Sequence, residues 1–282
     1  MFARDGSVDL AGAGKYFEWI AGQGVDGLFV TGAMGEFTTL TVDERIAIIG
    51  LAVDVVGADL VIAHVGAATT AGAVAVARGA SAVGVRWMAA CPPFGRSGGR
   101  PALIDHYRSV ARAAGGADLL AYIFTEYTGT PVTAADLEEL ARRTPLIGAK
   151  ISGASLSEVK GYLAAVPEEL VILTGSEADF PALVRAGGAG LVSGLASAAP
   201  ELFVAIRESI SRGSAPPDLL AGLTELTRVF RGGAGMIKAV LGERIGSSRA
   251  TRVPGYCLAE QVDAVVALTE RLSVAARSAE SG

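Results

Sequence analysis

The segment "PLIGAKIS", residues 145–152, sets one lysine, Lys150, near the end of an apolar run. Lysine is scarce in this chain: Lys15, Lys150, Lys160 and Lys238 are the full set. Lys15, Lys160 and Lys238 fall in stretches of helical periodicity, where lysine is commonly solvated. Lys150 alone stands where a strand buried on both faces would end. Burying an ammonium without a partner is costly, so burial drives such a group towards the neutral amine. A neutral amine facing a cavity attacks carbonyl carbon and forms a Schiff base. A lysine paired with a buried carboxylate, or reaching out past the strand end, fits the same position, and both readings stand on these residues alone.

Two further segments carry chemistry-bearing groups. Tyr122 lies in "LLAYIFTEYTG" (119–129), in the run before that of Lys150, and a phenol beside an imine can relay protons. A core tyrosine with its hydroxyl satisfied is the plainer alternative. "VTGAMGEFTTL" (30–40) reads as a strand and a glycine-rich turn, in which the amides of Ala33 and Met34 could hold a carboxylate. A tight turn with no ligand fits as well. His64 closes an apolar run and either faces the same region or is a satisfied structural histidine. His64 and His106 are far apart, and no carboxylate cluster has ligand spacing, so no metal is expected. "RGGAGMIKAV" follows no strand, which argues against a dinucleotide, and no GxSxG is present. No cofactor is expected.

These residues need a frame to bring them together. Short apolar runs recur: "GLFVTG" (27–32), "LVIAHV" (60–65), "AVGVRWMA" (82–89), "LLAYIFT" (119–125), "LIGAKIS" (146–152), "LVILTGS" (170–176) and "AGLVSG" (189–194). Helical segments lie between them, with start signals at Thr41 to Glu44, at Thr133 and at Ser155 to Glu158. Alternating β and α elements without a GxGxxG after the first strand predict an α/β protein, a TIM (β/α)8 barrel rather than a doubly wound sheet. Lys150 would then sit at the C-terminal end of a barrel strand, where barrel active sites lie. Seven runs leave the barrel one strand short. Only Met1 to Arg4 precede the first helical stretch, so either the first strand is missing or truncated, or closure is unusual, or the sheet is open. Strands stop near residue 212, with "RGSAPP" (212–217) as a boundary. The division expected is a barrel catalytic domain at 1–212 and a C-terminal helical region at 213–282.

Composition bounds the function. The 282 residues are 51% hydrophobic and 19% charged, which suits a large core and excludes disorder. A net charge of −5 and a pI of 5.2 favour neither nucleic acid nor an anionic membrane as partner. Residues 60–77 lack Asp, Glu, Lys and Arg, but His64 and paired threonines make them a strand, a loop and a helix start rather than a membrane span. Cys91 and Cys257 form no CxxC and read as free thiols in a reducing cytoplasm. No basic and apolar leader opens the sequence.

In order and spacing, these pieces resemble the dihydrodipicolinate synthase / N-acetylneuraminate lyase superfamily of class I aldolases over nearly the whole chain. "GAMGEFTTLTVDER" is similar to that family's glycine-rich turn and helix, "YIFTEYTG" to its tyrosine segment, and "IGAKISG" to its Schiff-base strand. "TGSEADF" and "GGAGLVSGLASAAP" resemble the last two strands with their loops. "IAHVG" and "VFRGGAGMIKAVL" resemble the neuraminate lyase branch. The resemblance implies a lyase in which Lys150 forms an imine with a 2-oxo acid such as pyruvate, and Tyr122 shuttles the proton. It implies that the Ala33 and Met34 amides hold the carboxylate. Ser152, Gly175, Ser176, Glu177, Ser193 and Gly194 would line the side of an aldehyde, as in sugar acids of the 2-keto-3-deoxy or neuraminate kind. A hydro-lyase or decarboxylating relative is the close variant. A cytoplasmic homotetramer goes with the same resemblance.

Departures from the family pattern are local. Ala33 and Met34 replace two hydroxyl residues, Phe94 falls near an exchanged tyrosine, and Tyr127 stands at the synthase arginine. Ile123 and Thr125 replace Asn and Pro. Dihydrodipicolinate synthesis itself is therefore not expected. The rival of another class is a catalytically reduced barrel that binds a small ligand in a structural or regulatory role. A phosphate-binding barrel ranks last, since "GSEADF" and "SGLASAAP" carry no basic residue.

Overall fold

The computed structural model describes residues 1–95, 98–213, 217–230, 233–254 and 259–280. Residues 214–216 of the expected boundary and Cys257 lie outside the described residues. In chain order the elements are α1 (Leu10–Ala21), β1 (Leu28–Val30), α2 (Val42–Val56), β2 (Val61–His64), α3 (Thr70–Ala82) and β3 (Trp87–Ala90). Then follow α4 (Arg100–Ala113), β4 (Asp118–Ile123), α5 (Thr125–Thr128), α6 (Ala134–Arg143), β5 (Leu146–Ile151) and α7 (Leu156–Ala165). β6 (Val171–Thr174), α8 (Phe180–Arg185), β7 (Gly190–Leu191), α9 (Pro200–Ser211), α10 (Pro217–Val229), α11 (Gly233–Ile245) and α12 (Ala259–Glu280) complete the series. The chain forms two compact units. One holds Phe29–Thr31 and Leu40–Val192, the other Met1–Leu28, Gly32–Thr39 and Ser193–Gly282.

The first of these units is built on a parallel sheet in the order β1-β2-β3-β4-β5-β6-β7, so each strand pairs with its successor in sequence. Helices between consecutive parallel strands are what such a sheet requires. Leu119 to Ile123 in β4 and Gly148 to Ile151 in β5 are continuously buried, as expected for strands covered on both faces. Three of the connecting helices start on reciprocal caps: Thr41 with Glu44, Thr133 with Asp136, and Ser155 with Glu158. Each satisfies backbone donors that a helix start leaves open, a contribution of roughly 1 kcal/mol per cap.

The strands run shorter than the apolar runs suggest. "AVGVRWMA" begins inside α3, and its strand starts only at Trp87. β4 ends at Ile123, and Thr125–Thr128 close into one helical turn. β7 is two residues long. Among the described residues no strand precedes α1; an isolated antiparallel bridge joins Phe2 and Val8. No helix of the described residues is long and apolar enough to cross a membrane.

The second unit is helical, with α12 packed on α9, α10 and α11. Its centre corrects one expectation. Lys238, read as solvated, is 6% exposed within a continuously buried stretch, Met236 to Leu241 of α11. It donates to the Glu36 carboxylate and, at 3.1 Å, to the Ala250 carbonyl. Glu36 also accepts from the amides of Arg252 and Val253, at 2.8 and 2.6 Å. A buried pair stands when extra hydrogen bonds fill the remaining positions, and here they do.

Candidate active site

Parallel pairing of β4 with β5 sets Tyr122 directly against Lys150. Both side chains are buried, at 3% and 7% exposure. The Lys150 Nζ lies 4.0 Å from the centre of the Tyr122 ring and 4.8 Å from that of Phe29, in the middle of β1. His64, at the end of β2, meets Tyr122 edge-on with 5.3 Å between ring centres and stacks on Phe29 at 5.8 Å. Residues of β1, β2, β4 and β5 thus converge on one amine. Among the described residues no carboxylate lies within ion-pair distance of it.

Burial sets the charge of this group. It lowers the Lys150 pKa from 10.5 to about 7, with Glu177 acting weakly in the opposite direction. At pH 7 about half of the amine is then unprotonated, roughly a thousandfold more than for a solvated lysine. Burial likewise raises the Tyr122 phenol, against a hydrogen bond with the Ser152 side chain that lowers it, so the phenol holds its proton at neutral pH. The His64 pKa falls well below its ordinary value, first by burial and then by Arg45. Its neutral ring donates from Nδ1 to the Thr31 carbonyl at 3.0 Å, since that oxygen can only accept. The Thr31 hydroxyl in turn donates to the His64 carbonyl at 3.0 Å. His64 thus faces the amine's aromatic surroundings, and its Nδ1 is held by the Thr31 carbonyl.

Ser152 and Gly175 belong together. A Cβ on Gly175 would fall 2.2 Å from the Ser152 Oγ, so only glycine leaves room for the hydroxyl that meets Tyr122. The Ser176 hydroxyl is spent locally, donating to Asp179 at 2.9 Å. Glu177 is half-buried and acts on Lys150 through its charge.

The remaining predicted residues sit in the helical unit. Ala33, Met34 and Gly35 form a single tight turn; the amides of Ala33 and Met34 open it and donate to no other group among the described residues. Met34 is 42% exposed and packs on Gly194, where an added Cβ would come within 2.7 Å of its Cγ. The Ser193 hydroxyl accepts from the amides of Leu195 and Ala196, at 2.9 and 3.3 Å.

Two contributors escape a sequence reading. Phe29 looks like any strand residue, and nothing in "GLFVTG" marks it as the ring beneath an amine. Arg45 sits in an amphipathic helix start that suggests exposure. Instead it is 3% exposed, donates to the Gly66 carbonyl at 2.8 Å and to the His64 carbonyl, and has its pKa lowered by burial to about 10.

Known proteins resemble this chain in sequence and fold. The model of the dihydrodipicolinate synthetase family matches residues 1–219. An uncharacterized DapA-like lyase of Halobacterium salinarum is 35% identical over 213 residues, covering 75% of this chain and 69% of the relative. The 4-hydroxy-tetrahydrodipicolinate synthase of Moorella thermoacetica is 29% identical over 213 residues, covering 75% of this chain and 73% of that enzyme. YagE, a prophage protein of the dihydrodipicolinic acid synthase family from E. coli K12, solved in complex with pyruvate, superposes with a TM-score of 0.89 at 22% identity. The match spans 96% of this chain and 95% of that one, so the two share a fold.

Proposed function

The chain belongs to the dihydrodipicolinate synthetase family, and on that footing we propose that it is a class I lyase acting on a 2-oxo acid such as pyruvate, making or breaking a carbon–carbon bond with an aldehyde. The observation that carries the reading is the desolvated Lys150 amine against Tyr122.

The steps follow from the protonation states. The neutral Lys150 amine adds to the C2 carbonyl, and its proton passes to the oxygen by way of Tyr122. The carbinolamine hydroxyl takes the Tyr122 proton and leaves as water, giving an iminium beside a phenolate. The phenolate removes a C3 proton to give the enamine. The enamine carbon bonds to the aldehyde carbon, whose oxygen takes the phenol proton. Water then adds to the iminium and gives its proton to the phenolate. Collapse of that adduct releases the 4-hydroxy-2-oxo acid and the amine. Cleavage runs the same steps backwards. Ser152 orients the phenol throughout, and its contact with Tyr122 supports that role.

The carboxylate-holding role that the resemblance gives Ala33 and Met34 is supported by their two open amides. A lining role is proposed for Ser152, Gly175, Ser176 and Glu177, and for Ser193 and Gly194 on the resemblance alone. A homotetramer in the cytoplasm accompanies the reading. Pyruvate with borohydride, followed by peptide mass spectrometry, tests it. The expected result is one reduced adduct on Lys150, absent from Lys150→Ala. A folded protein that traps none of several 2-oxo acids is the outcome expected of a barrel without this chemistry.

A further inference from the structure

A continuous line of aromatic rings leads away from the amine. Tyr122, in contact with Lys150, stacks on Phe124 with 6.2 Å between ring centres and 29° between planes. Phe124 stacks on Tyr127 at 5.5 Å and 23°. Tyr127 meets Phe94 edge-on at 6.1 Å and 80°. Exposure rises along the line: Tyr122 is 3% exposed, Phe124 half-buried and Tyr127 37% exposed. Every ring lies at or beyond the C-terminal end of β3 or β4, the end at which barrel enzymes bind substrates. Gly153, after β5, lies close to the same ring, since a Cβ there would fall 3.1 Å from Phe124.

The Thr128, Thr130 and Ser152 hydroxyls beside this line are already committed. Thr128 donates to the Phe124 carbonyl at 3.1 Å and accepts from the Thr130 amide at 3.2 Å. Thr130 donates to the Pro93 carbonyl at 2.6 Å. Ser152 is engaged with Tyr122. A sugar-like chain needs many free donors and acceptors, because each of its hydroxyls stripped of water must be matched. A planar aromatic group needs ring faces and edges.

We infer that the aldehyde partner of this site is an aromatic aldehyde, seated on the Phe124–Tyr127 faces with its carbonyl carbon towards the enamine held on Lys150. The inference rests on the imine chemistry proposed above and names its second substrate. The covalent step is the one already balanced: the enamine carbon bonds to the aldehyde carbon, and the aldehyde oxygen takes a proton from Tyr122.

Initial rates of aldol addition of pyruvate to benzaldehyde and to glyceraldehyde decide the matter, with borohydride trapping of pyruvate run alongside. The expected kcat/KM for benzaldehyde exceeds that for glyceraldehyde by about tenfold or more. Tyr127→Ala, at an exposed position, is expected to raise the benzaldehyde KM by about tenfold, and that for glyceraldehyde far less. Phe124→Leu, which keeps an apolar side chain, is expected to act in the same direction. Preference for glyceraldehyde, or an equal effect of Tyr127→Ala on both aldehydes, overturns the inference while leaving the imine intact. Trapped pyruvate with no addition to either aldehyde also overturns it. Failure to trap pyruvate overturns the underlying reading instead.

Discussion

Replacing the proposed nucleophile should make the protein more stable. The Lys150 amine keeps its proton to about pH 10.5 in a solvated chain but loses it near 7 in the fold, through burial. Each pKa unit is worth about 1.4 kcal/mol, so holding this lysine buried costs on the order of 4 kcal/mol at pH 7. Between pH 7 and 10.5 the unfolded chain binds more protons at this site than the folded one, so stability rises with pH across that window. Below 7 the full cost, about 5 kcal/mol, applies; at pH 9 about 2 kcal/mol remains. Methionine has similar length, no charge, and keeps the packing over Phe29 and Tyr122. Urea unfolding of Lys150→Met and the parent protein at pH 6, 7, 8 and 9 should therefore show the variant more stable, with a gap that narrows as pH rises. A gap that stays constant with pH, or a variant less stable at pH 6, would refute the claim that the fold desolvates this amine. The same variant should form no imine, which ties the cost to the chemistry.

Four further outcomes follow from the same contacts. The rate of pyruvate imine formation, measured by stopped borohydride quench, should rise with pH through an inflection near 7, because only the neutral Lys150 amine attacks. Tyr122→Phe keeps the ring beneath the amine but removes the proposed relay. Turnover should fall by about a hundredfold or more while Lys150 can still be trapped on long incubation. Gly175→Ala would put a methyl group 2.2 Å from the Ser152 Oγ, so it should lower kcat with little change in stability, by comparison of turnover and melting temperature. Lys238→Met would leave the Glu36 carboxylate buried without its cation, and denaturant unfolding should show a loss of about 3 kcal/mol or more.

What the sequence disclosed and what it hid divide along one physical line. Apolar runs and caps are local, so all seven strands and the starts of α2, α6 and α7 could be read from spacing. Pairing of consecutive parallel strands then made Tyr122 and Lys150 neighbours, because the strand order follows the chain. Partners from distant segments left no local trace. Lys238 lies in a helical stretch, Met236 to Leu241, that is buried all round, and its partner Glu36 is separated from it by 202 positions. Arg45 and Lys238 have the composition of surface residues but the burial of core ones, since each is held by oxygen atoms that no nearby sequence announces. Phe29 is a further case. A ring in an apolar strand is ordinarily core, and only the arrival of Lys150 from β5 turns it into the wall that strips water from an amine. The proposed nucleophile was legible because burying lysine is expensive and therefore conspicuous. The rings that make the burial possible were not, because burying phenylalanine is ordinary.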